Sequence, residues 1–441
     1  MTNTPLPLHA KLLYSLSSTG GEAMGKSRDL WLVYFYAPPK DSSLKEILPR
    51  LTLVILLTAG KLLEAFADPM IGVWSDRTRS RWGRRVPFIL FATPAWAVCA
   101  FLAFTPPTNG TTTTALYFFV VSELLFFSAS LSGGPYEALL PEIAPTSAER
   151  VSVQSFKVYL GVLGAGIGLV ASGLIKDAFG FRTMALVIAV VAITCRYAGL
   201  AGIWRRAAHP TVPAAISFRE AMRATFSNKN FLLFLPTFVL FQIAFVMLIG
   251  VLPFYHDAIL GEDSRLKVPV LAAVAVLAAV ATVPLFALHA KRTSKRQAYR
   301  TAMLGAALTF PLIAVAGLIP GIPEGAQILV AVALAGMPVG GNYLFPATLT
   351  ADIIDEDSGE TGHRREATYY GAQNFVEKLA SSLAPLFLVL LLLLGDSSEN
   401  TLGIRLVGPI AGVVVFCAYL IFRSYNLSDE VEGRVEPGQQ A

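Results

Sequence analysis

The sequence predicts an all-α membrane protein with twelve transmembrane helices in two six-helix halves, on three observations. Mean hydropathy is +0.58 with only 15% charged residues, so hydrocarbon rather than water is the solvent for most of the surface. Apolar segments long enough to cross a roughly 30 Å core recur along the chain between polar loops. A basic turn stands at matching places in the two halves: Arg77, Arg79, Arg81, Arg84 and Arg85 after span II, and Lys291, Arg292, Lys295, Arg296 and Arg300 after span VIII.

Span I, Leu12–Tyr36, is the weakest by hydropathy because Glu22, Lys26, Arg28 and Asp29 interrupt it. Spans II to VI are expected at Glu46–Trp74, Pro87–Phe104, Thr114–Leu140, Val151–Ile175 and Thr183–Ile203. A polar stretch with Pro210, Pro213 and several basic residues follows, and reads as a surface linker with a short amphipathic helix. Spans VII to XII are expected at Phe231–Tyr255, Val268–Leu288, Thr301–Ile319, Ala326–Leu349, Ala367–Leu394 and Leu402–Phe422. The organisation is therefore a first half at 1–204, a cytoplasmic linker at 205–230, a second half at 231–424 and a polar tail at 425–441.

Basic loops stay in the cytoplasm, whereas the loop PPTNGTTTT between spans III and IV has no charge. Orientation counted from the arginine loop places both termini in the cytoplasm, and the N terminus has no pattern of a removable signal peptide. The expectation is a multi-pass protein of the cytoplasmic (inner) membrane, with the lipid bilayer around it, working as a monomer. Six spans, a linker and six more with a matching basic turn form the pattern of the major facilitator fold, in which a small-molecule substrate sits near the midplane between the halves.

Other classes lose support. Cys99, Cys195 and Cys417 all lie in apolar spans, which implies neither a disulfide framework nor a metal site. Net charge is +5, but the basic residues cluster in alternate loops, which is topology rather than nucleic-acid binding. No nucleotide loop, metal-ligand cluster or nucleophile elbow is visible, so the chain is expected to be a transporter and not an enzyme, without a cofactor.

Candidate functional residues are the charged groups inside spans. The stretch KLLEAFADPMIGVWSDRTRSRWGRR, from Lys61 to Arg85, places Glu64 and Asp68 four residues apart on one helix face. If hydrocarbon ends near Ser75, a rise of about 1.5 Å per residue sets Asp68 roughly 10 Å and Glu64 roughly 16 Å from that surface. An ionised pair at that depth calls for something positive: a cation, a proton or a basic side chain. Glu22 in span I, Lys157 in span V and Lys378 in span XI complete a set of opposite signs expected to line one site, with Lys378 competing with the coupling cation for the acids. Lys61, one turn before Glu64, reads as a neutralising neighbour, and Glu123 and Arg196 stay open between buried pairs and snorkelled singletons. Tyr14, Tyr34, Tyr136 and Trp82 read as an interfacial aromatic belt in preference to a stacking platform for a sugar.

Three stretches carry a resemblance: ADPMIGVWSDRTRSRWGRRVPF (67–88), PYEALLPE (135–142) and TADIIDEDSGETGHRREATYYGAQNFVEK (350–378). With them the chain resembles, over almost its full length, the glycoside-pentoside-hexuronide:cation symporter family, the group containing melibiose permease. The resemblance implies secondary active, cation-coupled symport of a sugar or glycoside. By position, Glu64, Asp68 and the hydroxyl of Ser130 would bind the coupling cation, and Glu22, Lys157 and Lys378 would bind substrate, with Lys378 and Asp68 coupling the two. Asp76, Arg77, Arg81, Arg84 and Arg85, with Asp352 and Asp355 of the acidic stretch, would form the cytoplasmic gate. The chain departs from the family in three places. The family's span IV acid falls on Gly133, and its Trp one turn later falls on Glu137, a carboxylate offered as a substitute substrate ligand. The Asn between the span II acids falls on Ala67. Losing that amide oxygen favours H+ over Na+, because sodium takes several oxygens and a proton needs one. Distant relatives that carry lysophospholipids also lack the span IV acid, so a lipid-like organic solute is the alternative substrate, and a non-transporting receptor is a further one.

Overall fold

Local sequence signals set where the helices start and break. The computed structural model describes residues 6–40, 42–107, 110–144, 146–207, 227–261, 264, 266–361 and 366–426; within its helices some side chains, including those of Glu64, Asp68 and Asp76, lie outside the described set. In the first half run α1 (Leu8–Tyr36), α2 (Arg50–Arg77), α3 (Val86–Leu102), α4 (Thr111–Ala138), the short α5 (Leu140–Ile143), α6 (Ser147–Gly166) and α7 (Ser172–Ala207). The second half has α8 (Lys229–Tyr255), α9 (Val268–Arg292), α10 (Lys295–Thr309), α11 (Leu312–Val315), α12 (Glu324–Gly336), α13 (Val339–Thr361), α14 (Glu366–Leu392) and α15 (Leu402–Phe422). No strand occurs among the described residues. Eight helical stretches of the described residues are long and apolar enough to cross a membrane, and Val86–Leu102 is a shorter apolar helix.

Each expected span coincides with a helix, and span XII matches at both ends. Span V starts at Ser147 rather than Val151 because Thr146 caps it: the Glu149 amide donates to Thr146 Oγ1 at 3.3 Å. The Glu149 carboxylate accepts from the Leu6 amide at 2.8 Å, a bond that holds its pKa below the ordinary carboxylate value. Span V then passes through a π segment, Ile167–Ala171, and meets span VI within α7 at Gly180, where φ is 82° and the helix breaks. Span IX, expected unbroken over Thr301–Ile319, starts instead at Lys295 under the Ser294 cap and is interrupted at Pro311, which has no N–H to donate. Span X likewise divides between Gly336 and Val339, around Pro338, and continues past Leu349 to Thr361. The expected linker helix and the polar tail fall largely in residues outside the described set.

By contacts the chain divides into two compact units. One contains Met1–Ala214, Ile249–Ala273 and Pro385–Ile404; the other contains Ala215–Leu248, Val274–Ala384 and Arg405–Ala441. Within the first unit, α1 packs on α6 and α7, α3 on α4 and α7, and α2 on α4. Close approach needs small residues: a Cβ on Gly164 would run into the Thr19 backbone, and one on Gly20 would stand 2.8 Å from Ala192 Cα. Tyr14, Val86, Ile89, Tyr136, Ile143 and Val153, all 0% exposed, form a core at one end of these helices. Elsewhere in this unit the Tyr34 hydroxyl donates to Asp257 at 2.6 Å, and Arg50 pairs with Asp396 while donating to the Pro38 carbonyl at 2.7 Å. These bonds hold the segments 249–273 and 385–404 against α1 and α2.

The basic turns are tied down in the same way in the two halves. Arg84 and Arg85 both pair with Glu142 on α5, at 2.5 and 2.7 Å, and all three side chains are largely buried. In the second unit Lys295 pairs with Asp352 on α13 at 3.0 Å. Each joins a base after the second span of a half to an acid at the end of the fourth, as expected of two repeats. There, too, α10 packs on α12 and α13, and the Thr282 hydroxyl donates to the Met337 carbonyl at 2.6 Å.

Two stability outcomes follow. Gly164→Leu forces a side chain into the α1 backbone, and is expected to lower stability by about 1–3 kcal/mol or more, seen as a lower midpoint in a thermal melt of purified protein. Glu142→Gln leaves two guanidinium groups without their shared carboxylate and is expected to cost about 3 kcal/mol, whereas a change at the exposed Arg79 leaves the melt in place.

Candidate substrate and cation site

Three helices of the first unit bring sequence-predicted ligands together. Lys157 on α6 forms an ion pair with Glu137 on α4; the lysine side chain is 12% exposed and the carboxylate 46%. The lysine is therefore buried, and the more exposed carboxylate of Glu137 holds it. Glu22 on α1 lies beside α6 one turn further on, where a Cβ at Gly161 would touch its Cγ at 3.7 Å. Among the described residues Glu22 makes no hydrogen bond and no ion pair. The wall that carries these groups is low, because Cβ atoms on Gly21 and Gly25 of α1 and on Gly134 of α4 would meet nothing within 4 Å. One half-buried free carboxylate, one ion pair and open space between them can bind a polyhydroxylated solute, since the pair offers donors and acceptors and the free acid accepts from hydroxyls.

The cation set is only partly described. Glu64 and Asp68 both lie on the unbroken α2, four residues apart, with side chains outside the described set. Ser130 is buried on α4. Lys61, one turn before Glu64, is buried at 4% exposure, and its charge acts on Asp29 of α1, which also pairs with Arg28 at 3.1 Å. Asp29 is thus an intramembrane acid that the sequence reading noted only as an interruption of span I, although an ionised residue in a span was itself the signal. Glu123 is not snorkelled either: its carboxylate stands over Gly60 of α2, 2.7 Å from where a Cβ would be.

In the second unit Lys378 is half-buried on α14. Its neighbour Glu377 accepts from Gln242 Nε2 at 2.8 Å, and Gln242 in turn accepts from Asn342 at 3.4 Å. The sequence reading missed this network because neutral amides in an apolar span leave no charge to notice. Of the gate residues, Arg77 is exposed, Arg81 lies over the Trp82 ring at 4.9 Å, and Arg84, Arg85 and Asp352 hold the pairs described above. Asp355 is half-buried on α13.

The aromatic residues require a correction. Tyr14 and Tyr136 form neither an interfacial belt nor a sugar platform. Both are fully buried, stacked at 4.7 Å, and each hydroxyl donates to the other's carbonyl, at 2.9 and 2.8 Å. Arg196, left open by the sequence, is buried at 7% exposure with its guanidinium 4.8 Å from the Tyr136 ring and 5.4 Å from the Trp96 ring. Tyr34 is also buried, bonded to Asp257.

Comparison with known proteins agrees with this architecture. The fold is that of the nucleoside transporter NupG, whose crystal structure superposes with a TM-score of 0.66 at 12% identity, covering 95% of this chain and 99% of that one. The isoprimeverose transporter of Lactiplantibacillus pentosus is 25% identical over 235 residues, 51% of this chain and 47% of that protein. The sodium-dependent lysophosphatidylcholine symporter 1 of Mus musculus is 22% identical over 372 residues, 75% of this chain and 68% of the relative. The chain spans about half the length, or less, of several curated relatives that it matches. The family model described as MFS/sugar transport protein matches residues 14–402, and with its helical major facilitator fold this multi-pass membrane protein belongs to that family.

Proposed function

We propose that the protein is a secondary active symporter that moves a sugar or glycoside together with a cation by alternating access across the cytoplasmic membrane, working as a monomer with both termini in the cytoplasm. The observation that carries the reading is the ligand set of the first unit: Glu22, without a hydrogen bond or ion pair among the described residues, beside the Glu137–Lys157 pair, in the same unit as α2 with Glu64 and Asp68. Family membership and the isoprimeverose transporter support a sugar. Glu64, Asp68 and Ser130 bind the coupling ion, and Lys378 couples its occupancy to substrate binding, so site occupancy and conformation are linked. Arg77, Arg81, Arg84, Arg85, Asp76, Asp352 and Asp355 serve the cytoplasmic gate. The coupling ion is H+, because Ala67 offers no side-chain oxygen to complete a sodium shell.

A second reading has its own observation. An apolar groove of about 500 Å³ between α2, α3 and α4, lined by Trp74, Phe88, Phe91, Leu124 and Phe127, is suited to the apolar part of an amphipathic, lipid-like solute. The lysophosphatidylcholine symporter among the relatives supports it.

In vesicles, Asp68→Asn is expected to reach normal expression and to abolish accumulation against a gradient; normal accumulation by this variant would remove Asp68 from coupling. Lys378→Ala is expected to loosen the ratio of cation to substrate moved, read by parallel isotope and pH-dye fluxes, and an unchanged ratio counts against its role. Uptake in proteoliposomes is expected to follow an imposed pH gradient, whereas strong stimulation by sodium at fixed pH would assign the coupling to Na+.

A further inference from the structure

Arg196 is a cation in an apolar span whose hydrogen-bonding capacity is unused. It is 93% buried by its 7% exposure, and among the described residues it has no ion pair and no hydrogen bond. Its Nε is fully buried without an acceptor. Rings on two sides, Trp96 at 5.4 Å and Tyr136 at 4.8 Å, stabilise the charge through their faces. They do nothing for the N–H groups, which radiate in the guanidinium plane and want oxygen acceptors. Glu137 is the carboxylate whose field reaches Arg196, and it is already held by Lys157. Leaving such a group unsatisfied inside a membrane is expensive.

The guanidinium is aimed at open space. A Cβ placed on Gly133 of α4 would meet only Arg196 Nη2, at 4.0 Å, and one on Gly134 would meet nothing. The Glu137–Lys157 pair begins one turn along from Gly133 on the same helix. Arg196 therefore stands behind the glycine pair, with its stacked partners Tyr136 and Tyr14 fixing its position through their reciprocal bonds.

We propose that Arg196 is a specificity-determining residue that binds an anionic group of the transported solute, a carboxylate or a phosphate, which enters over Gly133 and Gly134 and takes up the free guanidinium N–H groups. This rests on the transporter reading above and narrows its substrate to acidic solutes. A planar fork of donors matches two oxygens of a carboxylate or phosphate, which a neutral hydroxyl cannot reproduce.

The test compares matched probes by calorimetry on the full chain in nanodiscs: 4-nitrophenyl β-D-glucuronide against 4-nitrophenyl β-D-glucoside, and lysophosphatidylglycerol against monoacylglycerol. At least one anionic probe is expected to bind about tenfold or more tightly than its neutral counterpart, the scale of one charge-assisted bidentate contact. The arm that responds tells whether the group is a sugar carboxylate or a lipid phosphate. Arg196→Gln is expected to bring that ratio close to one. Because loss of the stacked arginine can also unfold the protein, Gly133→Asp supplies a second variant: the space accepts its Cβ, the aromatic stack stays, and the new carboxylate occupies the guanidinium, so anion preference is again expected to vanish. Equal binding of charged and neutral probes in both arms overturns the inference, as does an anion preference that survives Gly133→Asp. Counterflow in proteoliposomes separates the two readings. Flux of the neutral glucoside without anion preference overturns only the role of Arg196, whereas anion-selective binding without flux supports that role and overturns symport.

Discussion

The constraint on which the structure depends is the expense of an ionised side chain surrounded by hydrocarbon. Each one must meet an opposite charge, an aromatic face or a ligand. The first unit answers in all three ways. Lys157 meets Glu137, Asp29 meets Arg28 and feels Lys61, and Arg196 lies against the rings of Trp96 and Tyr136. Among the described residues Glu22 and the Arg196 N–H groups have no hydrogen-bond acceptor or donor of their own, and they are where a solute has something to gain by binding.

Packing makes those arrangements possible. Gly164 and Gly20 let α6 and α7 approach α1 at backbone distance. Gly199 on α7 does the same for the aromatic stack, since a Cβ there would collide with the Tyr136 hydroxyl. Glycines on the open wall play the opposite part: Gly21, Gly25 and Gly134 leave room rather than contact. One residue type thus serves both close helix packing and the floor of a site, and only the neighbours distinguish the two uses.

At the membrane surface the same electrostatics serves a mechanical purpose. Glu142 gathers Arg84 and Arg85, and Asp352 holds Lys295, so the basic turn of each half is anchored to the end of its own fourth span. Pairs like these are largely buried in the first case and more open in the second, with side chains 25–30% exposed, so the first contributes more to rigidity.

Composition and pattern by themselves determined the membrane class, the spans and the two-half organisation, because a hydrocarbon solvent imposes long apolar helices and charge-sorted loops whatever the tertiary contacts are. Charge in a span was legible too: Glu22, Lys157, Lys378, Glu64 and Asp68 stand out against an apolar background with no alignment of side chains needed. Breaks at Gly180, Pro311 and Pro338 had a local signal, while the π segments had none. Pairing was decided only in three dimensions. Nothing in a string of letters says that Lys157 turns to Glu137, that Tyr14 stacks on Tyr136 across 122 positions, or that Arg196 is buried behind a glycine pair rather than snorkelled, since each depends on which helix faces meet.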